Sequence, residues 1–392
     1  MSPNHPSNPA PAPEVAAIVL AAGRSGRMGR LKPLLPLGPQ TVLARVVDTC
    51  RQAGLGTVLV VLGHHAAELA PAVAALGLQP VYNPQPERGM FSSLLAGVAA
   101  LPPQARAFLV LPVDLPLVRV HTLRRLLEAW QEGRGPMLVP TFLGRRGHPP
   151  LLDAGLAPAL AAWSGPNGLR GFLEQRAEVV EVPAADRFLR LDLDTPQDYQ
   201  RLLRAAGRYD LPSTAECLAL VQEVQGLGPE LWAHCHLVAR IALALGRGLR
   251  DRGGRKLEMR LIAAGGLLHD VGKGQPDHAA AGAALLRAMD WERVARVVAA
   301  HVDLAGDGQG PLDEAALVYL ADKLVQADRP VTLEERFAAS LARHGRDPQA
   351  RQNVERRRQQ ARRLQERVEA ALGQDLAGFL AAAGPALREA RP

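Results

Sequence analysis

Two groups of residues in this chain have the types and spacing to handle phosphate. The first is the run Leu20-Ala-Ala-Gly-Arg-Ser-Gly-Arg-Met-Gly-Arg-Leu-Lys32, where an apolar segment passes into a turn rich in glycine and cations. A phosphate loop needs backbone N–H groups free to point at oxygens, and glycines let the chain approach closely. Gly23, Gly26 and Gly29 provide that freedom, while Arg24, Arg27 and Lys32 suit a triphosphate whose leaving pyrophosphate gathers charge. The GxxGxxG spacing is not the GxGxxG of dinucleotide folds, and Lys32 precedes Pro33 rather than Ser or Thr, which excludes a Walker A loop. On these residues alone, an ordinary basic loop is the competing reading. Asp114, in Leu111-Pro-Val-Asp-Leu-Pro116, follows an apolar run and could hold Mg²⁺ against phosphate oxygens. Asp192 and Asp194 alternate along an extended segment and so share one face. Capping of a helix that opens at Pro196, by Asp194 or Thr195, competes there with metal binding.

The second group centres on His269-Asp270, which closes an apolar helical stretch just before Gly272 breaks it. Both side chains could reach one metal, and imidazole with carboxylate suits Fe, Mn or Zn. His234, His278, His301 and Asp322 lie on or beside further apolar helical stretches. A single histidine on such a helix is more often a core residue than a ligand. Four histidines with two aspartates reverse that balance, because unpaired polar groups in a core are costly. Helices that each present an inward ligand are how bundles build metal sites. His236 competes with His234 for the first position.

These residues need elements to position them. Val15–Leu20, Thr57–Leu62, Ala107–Leu111 and Met137–Pro140 read as buried parallel strands. Helical patterns lie between them at about 41–53, 65–76, 92–100 and 120–132, the first with Thr41 as its N-cap and a stop before Gly54. Alternation of strand and helix predicts an α/β fold with a doubly wound, mostly parallel sheet, whose ligands bind at the carboxyl ends of strands. Residues 14–206 form this unit and 207–213 a linker. Beyond it strands are expected to vanish, leaving an all-α domain over 214–338 and a helical, arginine-rich tail over 339–392. Arg356–Arg358 and Arg362–Arg363 in that tail read as a solvated surface helix rather than a polyanion site.

Bulk properties narrow the classes. The 392 residues allow two or three domains. A net charge of +7 and a pI near 9.8 invite nucleic acid, yet 4% aromatic content poorly supplies a stacking platform, so small anionic substrates are the better match. Cys50, Cys217 and Cys235 form no CxxC pair, which predicts a reduced, cytoplasmic protein. Residues 1–13 lack the features of a signal peptide and read as a disordered leader. No apolar run reaches the roughly 18 residues of a membrane span.

The motifs in order resemble a known family. Leu20-Ala-Ala-Gly-x-Ser-x-Arg-Met-Gly-x-x-Lys32, Asn83-Pro, Gly89-Met90 with Ser92-Ser-Leu and Gly97, Asp114-Leu-Pro-Leu, Arg146-Gly-His-Pro149 and Asp192-Leu-Asp-Thr-Pro196 are similar to MobA-like nucleotidyltransferases, nearest the molybdenum cofactor cytidylyltransferases. The resemblance covers about 15–205. It implies a Rossmann-like fold whose turn (Leu20, Ala21, Ala22, Gly23, Arg24, Ser25, Gly26), with Ser92 and Ser93, binds the nucleotide. Asp114 and Asp194 would hold Mg²⁺, and Arg27, Lys32 and Asp114 would be catalytic. The double alanine at 21–22 resembles cytidylyl members, which implies CTP, with guanylyl or uridylyl transfer as alternatives. Leu115 stands where cofactor cytidylyltransferases place Gln, which opens the identity of the acceptor. A small phosphorylated acceptor such as molybdopterin and a molybdoenzyme partner are also implied, since some members deliver cofactor. Residues 214–335 resemble an HD-domain metal-dependent phosphohydrolase. That match makes His234, His269, Asp270 and Asp322 the core ligands, adds His278 and His301 for a second ion, and turns Lys273 toward phosphate. An HD fold that only senses a ligand is the alternative.

Overall fold

The computed structural model describes residues 14–344 and 347–389, so the leader read over 1–13 lies outside the described residues. The chain divides into two compact units, Met1–Tyr209 and Asp210–Pro392.

The first unit is built on one sheet. β1 (Val15–Leu20) is buried along its whole length, as a strand covered on both faces must be. A small hairpin of β2 (Pro36–Leu37) and β3 (Gln40–Thr41) precedes α1 (Val42–Gln52), whose N-cap Thr41 accepts from the Ala44 amide. β4 (Thr57–Leu62), α2 (Ala66–Ala75), β5 (Pro80–Tyr82), α3 (Met90–Ala99), β6 (Ala107–Pro112), α4 (Val120–Gln131) and β7 (Met137–Phe142) follow in alternation. β8 (Arg145–Arg146), β9 (Leu151–Asp153), α5 (Ala157–Ala161), α6 (Gly168–Glu174), β10 (Val179–Pro183) and α7 (Pro196–Ala206) complete the unit. The strand order is β10-β7-β9-β6-β1-β4-β5, with β9 antiparallel to both its neighbours and the other pairs along that path parallel.

Alternating residues of β1 serve two cores. Val15, Ala17 and Val19 meet α1, α2, α4 and α7, whereas Ile18 and Leu20 meet α3, α5 and α6. Helices therefore cover both faces. From β1 the chain winds outward to β4 and β5 on one side, then returns to β6 on the other. The strand order splits at β1, and the crevice beyond its carboxyl end is where such sheets bind ligands.

The second unit is helical. α8 (Thr214–Leu218) runs into a π turn at Ala219–Val224, then come α9 (Pro229–Gly253), α10 (Met259–Leu268), α11 (His278–Ala288), α12 (Glu292–Ala300) and α13 (Glu314–Lys323). α14 (Leu333–His344), α15 (Pro348–Leu372) and α16 (Leu376–Glu389) end the described chain. Strands do not wholly vanish here. β11 (Val325–Gln326) and β12 (Arg329–Pro330) form a two-residue hairpin whose turn is made by Ala327 in the left-handed region, φ 54°. Nor is α15 a fully solvated helix, because Val354, Ala361, Leu364, Val368 and Leu372 recur at helical spacing and bury one face. Among the described residues no helix is long and apolar enough to cross a membrane.

One buried carboxylate fastens the sheet unit. Asp186 is fully buried and accepts from the amides of Arg119 (2.7 Å) and Phe188 (2.8 Å) and the Thr122 hydroxyl (2.8 Å), tying the chain after β10 to the start of α4. Bonds to a charged group contribute about 1.5–3 kcal/mol each, and Asp186→Ala leaves all three donors buried without an acceptor. We expect that substitution to cost roughly 3 kcal/mol, read as a shift of the sheet unit's transition in urea; a loss below about 1 kcal/mol would refute this role.

Candidate active sites

Backbone bonds draw three segments to the carboxyl end of β1. The Ala21 amide continues the ladder to Val61, and the Val113 amide donates to the Leu20 carbonyl at 3.0 Å. The Leu193 amide in turn donates to the Asp114 carbonyl at 2.8 Å. The glycine turn, Asp114 and the Asp192–Asp194 segment are thereby neighbours. The turn itself closes through Ser25, a non-glycine residue at φ 50°, whose hydroxyl accepts from the Lys32 amide. Apart from the adjoining stretch of chain, no described atom lies within 4 Å of where a Cβ would stand on Gly23 or Gly26. Packing does not demand glycine at these positions; close approach of a ligand to the backbone would.

A cavity of about 640 Å³ results, lined by Leu20, Ala21, Ala22, Gly23, Arg24, Ser25, Gly26, Arg27, Lys32, Ser93, Asp114 and Asp194 among others. Asp194 holds both principal cations, Lys32 Nζ at 2.7 Å on Oδ1 and Arg27 Nη2 at 3.0 Å on Oδ2. These contacts, the Lys32 hydrogen bond foremost, keep its carboxyl below the usual range. Capping of α7 falls instead to Thr195, whose reciprocal bonds with Asp198 form a capping box. Asp114 shifts the other way from Asp194. Burial, reinforced by Asp192 and Asp194 against the opposing pull of Lys32, raises its pKa to about 6.

Ser92 is placed differently from the expectation. Its single hydroxyl proton is within reach of both the Gln85 and Gly89 carbonyls, its oxygen accepts from Asn83 Nδ2, and it lines a separate hollow. Its neighbour Ser93 faces the cavity. His64 and His65 brace the turn: Arg24 Nε donates to His64 Nε2, and His65 Nε2 meets the Arg24 carbonyl, both at 3.2 Å. Their position just beyond β4, at the same sheet edge, was the available signal. A second hollow of about 370 Å³ shares Leu20, Met90 and Pro112 with the first and is lined further by Phe91, His148 and Asn167. Burial holds the His148 imidazole below its ordinary pKa.

In the helical unit the candidate ligands converge. His234 comes from α9, His269 and Asp270 follow α10, His278 opens α11, His301 follows α12 and Asp322 lies on α13. Asp322 Oδ1 stands 3.4 Å from His234 Nε2 and 3.6 Å from His269 Nε2, and Asp270 Oδ2 is 3.8 Å from His269. Asp270 Oδ1 stands 3.3 Å from His278 Nε2 and 3.6 Å from His301 Nε2, which are 3.1 Å from one another. Two groups able to hold a cation, His234–His269–Asp270 and Asp270–His278–His301, thus share Asp270.

The donor set fits a metal. Ligands about 2.0–2.1 Å from a tetrahedral ion are about 3.3 Å apart, close to the separations in the second group. His234, His269 and His301 each direct Nδ1 to a backbone carbonyl, of Ala327 (2.8 Å), Gly266 (2.8 Å) and Val298 (2.6 Å), which turns Nε2 inward. His269 Nε2 is buried with no hydrogen-bond partner, a costly state that a bound cation removes. Burial opposes charge on Asp270 and Asp322, but for Asp270 the bonds from His278 and His301, and for Asp322 the Lys323 charge with His234 and His269, hold both carboxyls well below the ordinary range. Lys273 reaches Asp270 Oδ2 at 2.9 Å from a half-exposed position. His236 stands outside both groups, against Trp232.

A phosphate turn facing a carboxylate at a sheet split, joined to a helical cage of histidines and aspartates, defines an α/β nucleotidyltransferase unit followed by an HD-type unit. The chain belongs to the MobA-like NTP transferase family, whose domain model matches residues 17–180, and an HD domain matches residues 231–327. A nicotine blue oxidoreductase of Paenarthrobacter nicotinovorans is 37% identical over 174 residues, 42% of this chain and 83% of that protein. The bifunctional protein GlmU of Burkholderia lata is 38% identical over 127 residues, 32% of this chain and 28% of the relative. Among solved structures, Rv0371c from Mycobacterium tuberculosis H37Rv is 34% identical, spans 49% of this chain and 98% of its own, and has a TM-score of 0.45.

The Asp114 carboxyl generates a pH prediction. Below about pH 6 it carries a proton, and a cation bound through this carboxyl would have to expel it, so affinity for Mn²⁺ used in place of Mg²⁺ is expected to fall as the solution is acidified. Titration of Asp114→Asn and the parent chain with Mn²⁺, with the helical centre disabled by His269→Ala and Asp322→Asn, should show a fall of about tenfold per unit below that point in the parent alone. A parent affinity flat from about pH 5 to 8 would contradict the assignment of Asp114 as a ligand.

Proposed function

We propose that the sheet unit transfers a nucleotidyl group, cytidylyl foremost, from an NTP to a small phosphorylated acceptor such as molybdopterin. The observation that carries this reading is the capture of Lys32 and Arg27 by Asp194 inside the cavity that also holds Asp114. An incoming triphosphate competes with Asp194 for both cations. The carboxylate so released would, with Asp114, hold Mg²⁺, a hard ion suited to carboxylates. Bound there, Mg²⁺ would neutralise charge on the phosphate oxygens. An acceptor phosphate oxygen forms a bond to the α-phosphorus as the bridge to the β-phosphate breaks and pyrophosphate leaves. The nucleophile is already ionised, so positioning and charge stabilisation by Arg27 and Lys32 suffice.

The adjoining apolar hollow beside Leu20, Met90 and Pro112 suits the acceptor's body, with His148 and Asn167 as polar contacts. The double alanine at 21–22 supports CTP through the resemblance to cytidylyl members. A molybdoenzyme is the natural recipient if the acceptor is molybdopterin. Cys50, Cys217 and Cys235 are all buried and form no CxxC pair, which supports a reducing compartment such as the cytoplasm.

Pyrophosphate release measured with each of the four triphosphates, with and without molybdopterin, tests the assignment. We expect CTP to dominate and Lys32→Ala to lower kcat about 10²–10³-fold, the scale of losing one preorganised charge contact. Release with GTP alone would move the base assignment. No release with any nucleotide would favour redox chemistry of the kind the Paenarthrobacter relative is named for, or a delivery role without turnover.

For the helical unit we propose a one- or two-metal phosphohydrolase centre, with Fe, Mn or Zn. A bound ion would supply Lewis acidity at the scissile phosphate. Lys273, exposed at the rim and paired with Asp270, is placed to meet a phosphate oxygen. His269 must be neutral to bind a metal through Nε2, so metal binding is expected to strengthen as pH rises. Metal analysis after purification with Mn²⁺ should give at least about one ion per chain, and His269→Ala should abolish phosphatase activity toward nucleotides. Metal in the parent with no hydrolysis of any phosphate ester would assign the unit to sensing.

A further inference from the structure

The arginines of α15 belong to neither candidate site, yet they fasten the chain beside one. Arg356 grips both oxygens of Asp303, Nη1 at 2.5 Å and Nη2 at 2.6 Å, and Arg357 adds Nη2 at 3.2 Å. Asp303 stands two residues beyond His301. A turn further along α15, Gln360 Nε2 donates to the Leu304 carbonyl at 2.7 Å, and two turns beyond that Arg367 donates to the carbonyls of Gly308 and, at 2.7 Å, Gly310. Positions 356, 360 and 367 lie on one face of a helix, so a single stripe follows the whole segment after His301. The fit is close: a Cβ on Gly308, at φ 73°, would stand 2.8 Å from the Gln360 carbonyl.

The same helix touches a second ligand-bearing element. The buried Tyr319 hydroxyl donates to the Arg357 carbonyl at 3.2 Å, three residues before Asp322 on α13. Lys323 closes the circuit by donating to the His301 carbonyl at 3.0 Å and to Asp322 at 2.7 Å. Isolated surface ion pairs contribute little. A bidentate pair joined to carbonyl contacts along 303–310 instead fixes a path, and that path begins at His301. The HD match ends at residue 327, so the fastening helix lies outside it.

We propose that Arg356, Arg357 and Asp303 are positioning residues for the Asp270–His278–His301 group, setting the place of the His301 ring and with it the affinity of that group for its cation. The proposal rests on the reading of the helical unit as a metal centre. Mn²⁺ binding to the full chain, followed by calorimetry and by metal analysis after dialysis, tests it. The comparison set is the parent, Asp303→Asn, Arg356→Gln with Arg357→Gln, the paired lysine variant, and His301→Ala as reference for loss of that ion, all with Asp114→Asn to silence the sheet unit.

In the parent we expect two ions. Asp303→Asn and the glutamine pair should weaken one of them by about 10–100-fold, the scale of losing an outer partner of a ligand, and leave the other within about threefold. The weakened ion must be the one absent from His301→Ala, and the lysine pair should recover part of the affinity. Helical circular dichroism should be unchanged. Equal weakening of both ions, or none in any variant, overturns the proposal while leaving the metal centre intact. A parent that binds no Mn²⁺ removes the metal centre, and the proposal with it. Should Asp303→Asn lose helical signal, the lysine pair decides: parent-like affinity supports the fastening by charge, and a loss equal to that of the glutamine pair counts against it.

Discussion

A carboxylate taken out of water must be met by donors or cations, and how completely each one is met sorts the roles in this molecule. Asp186 is met by donors from its own unit, among them the Arg119 and Phe188 amides and the Thr122 hydroxyl. Asp114 is only half-buried, but among the described residues no cation is bonded to it, and desolvation lifts its pKa to about 6. Asp270 and Asp322 lie at the opposite extreme, surrounded by imidazoles and lysines that keep them ionised. The first arrangement is a structural tie, the second leaves a place for a cation, and the third is a ligand set already in its charged form.

The sheet topology enforces the second case. β1 and β6 run parallel and adjacent, with Leu20 opposite Pro112, so whatever follows each strand emerges at the same edge. The glycine turn follows one and Asp114 the other. Asp194 is 162 residues from Lys32 in the chain and reaches it because the Leu193 amide bonds to the Asp114 carbonyl. A charge pair of such separation forms only after the fold has closed, which makes it a property of the fold and not of the local sequence.

Legibility followed the same division between local and distant causes. β1, β4, β6 and β7 announced themselves because strands buried on both faces are continuous apolar runs. β9 and β10 did not, being short and interrupted by Asp153 and Glu181, and the antiparallel insertion of β9 depends on partners far away in sequence. Thr41 was readable as a cap because its signal sits within four residues. The choice of His234 over His236 came from resemblance; its physical cause, the Ala327 carbonyl on a two-residue hairpin, could not be seen in a region that reads as helical. Ser92 and Ser93 are adjacent on α3, and only the built turn at 83–89 shows which hydroxyl is already engaged.

Charge was the least legible property. Arg356, Arg357, Arg358 and Arg362 make the tail look like a stripe for polyanions or solvent, and a pI near 9.8 strengthens that impression. In the folded chain the first two close on Asp303 and the other two on Glu334 at 2.6–2.7 Å. Their charge is spent inside the unit, where each guanidinium offers a planar fork matched to a carboxylate. Cations inside the sheet cavity are likewise held, Lys32 and Arg27 by Asp194, but by a single carboxylate that a triphosphate of higher charge can outcompete. Net charge counts both kinds alike. What separates an anion site from a structural clasp is whether the partner can be displaced by a ligand, and a lone half-buried aspartate in an open cavity meets that condition where a bidentate pair reinforced by backbone carbonyls does not.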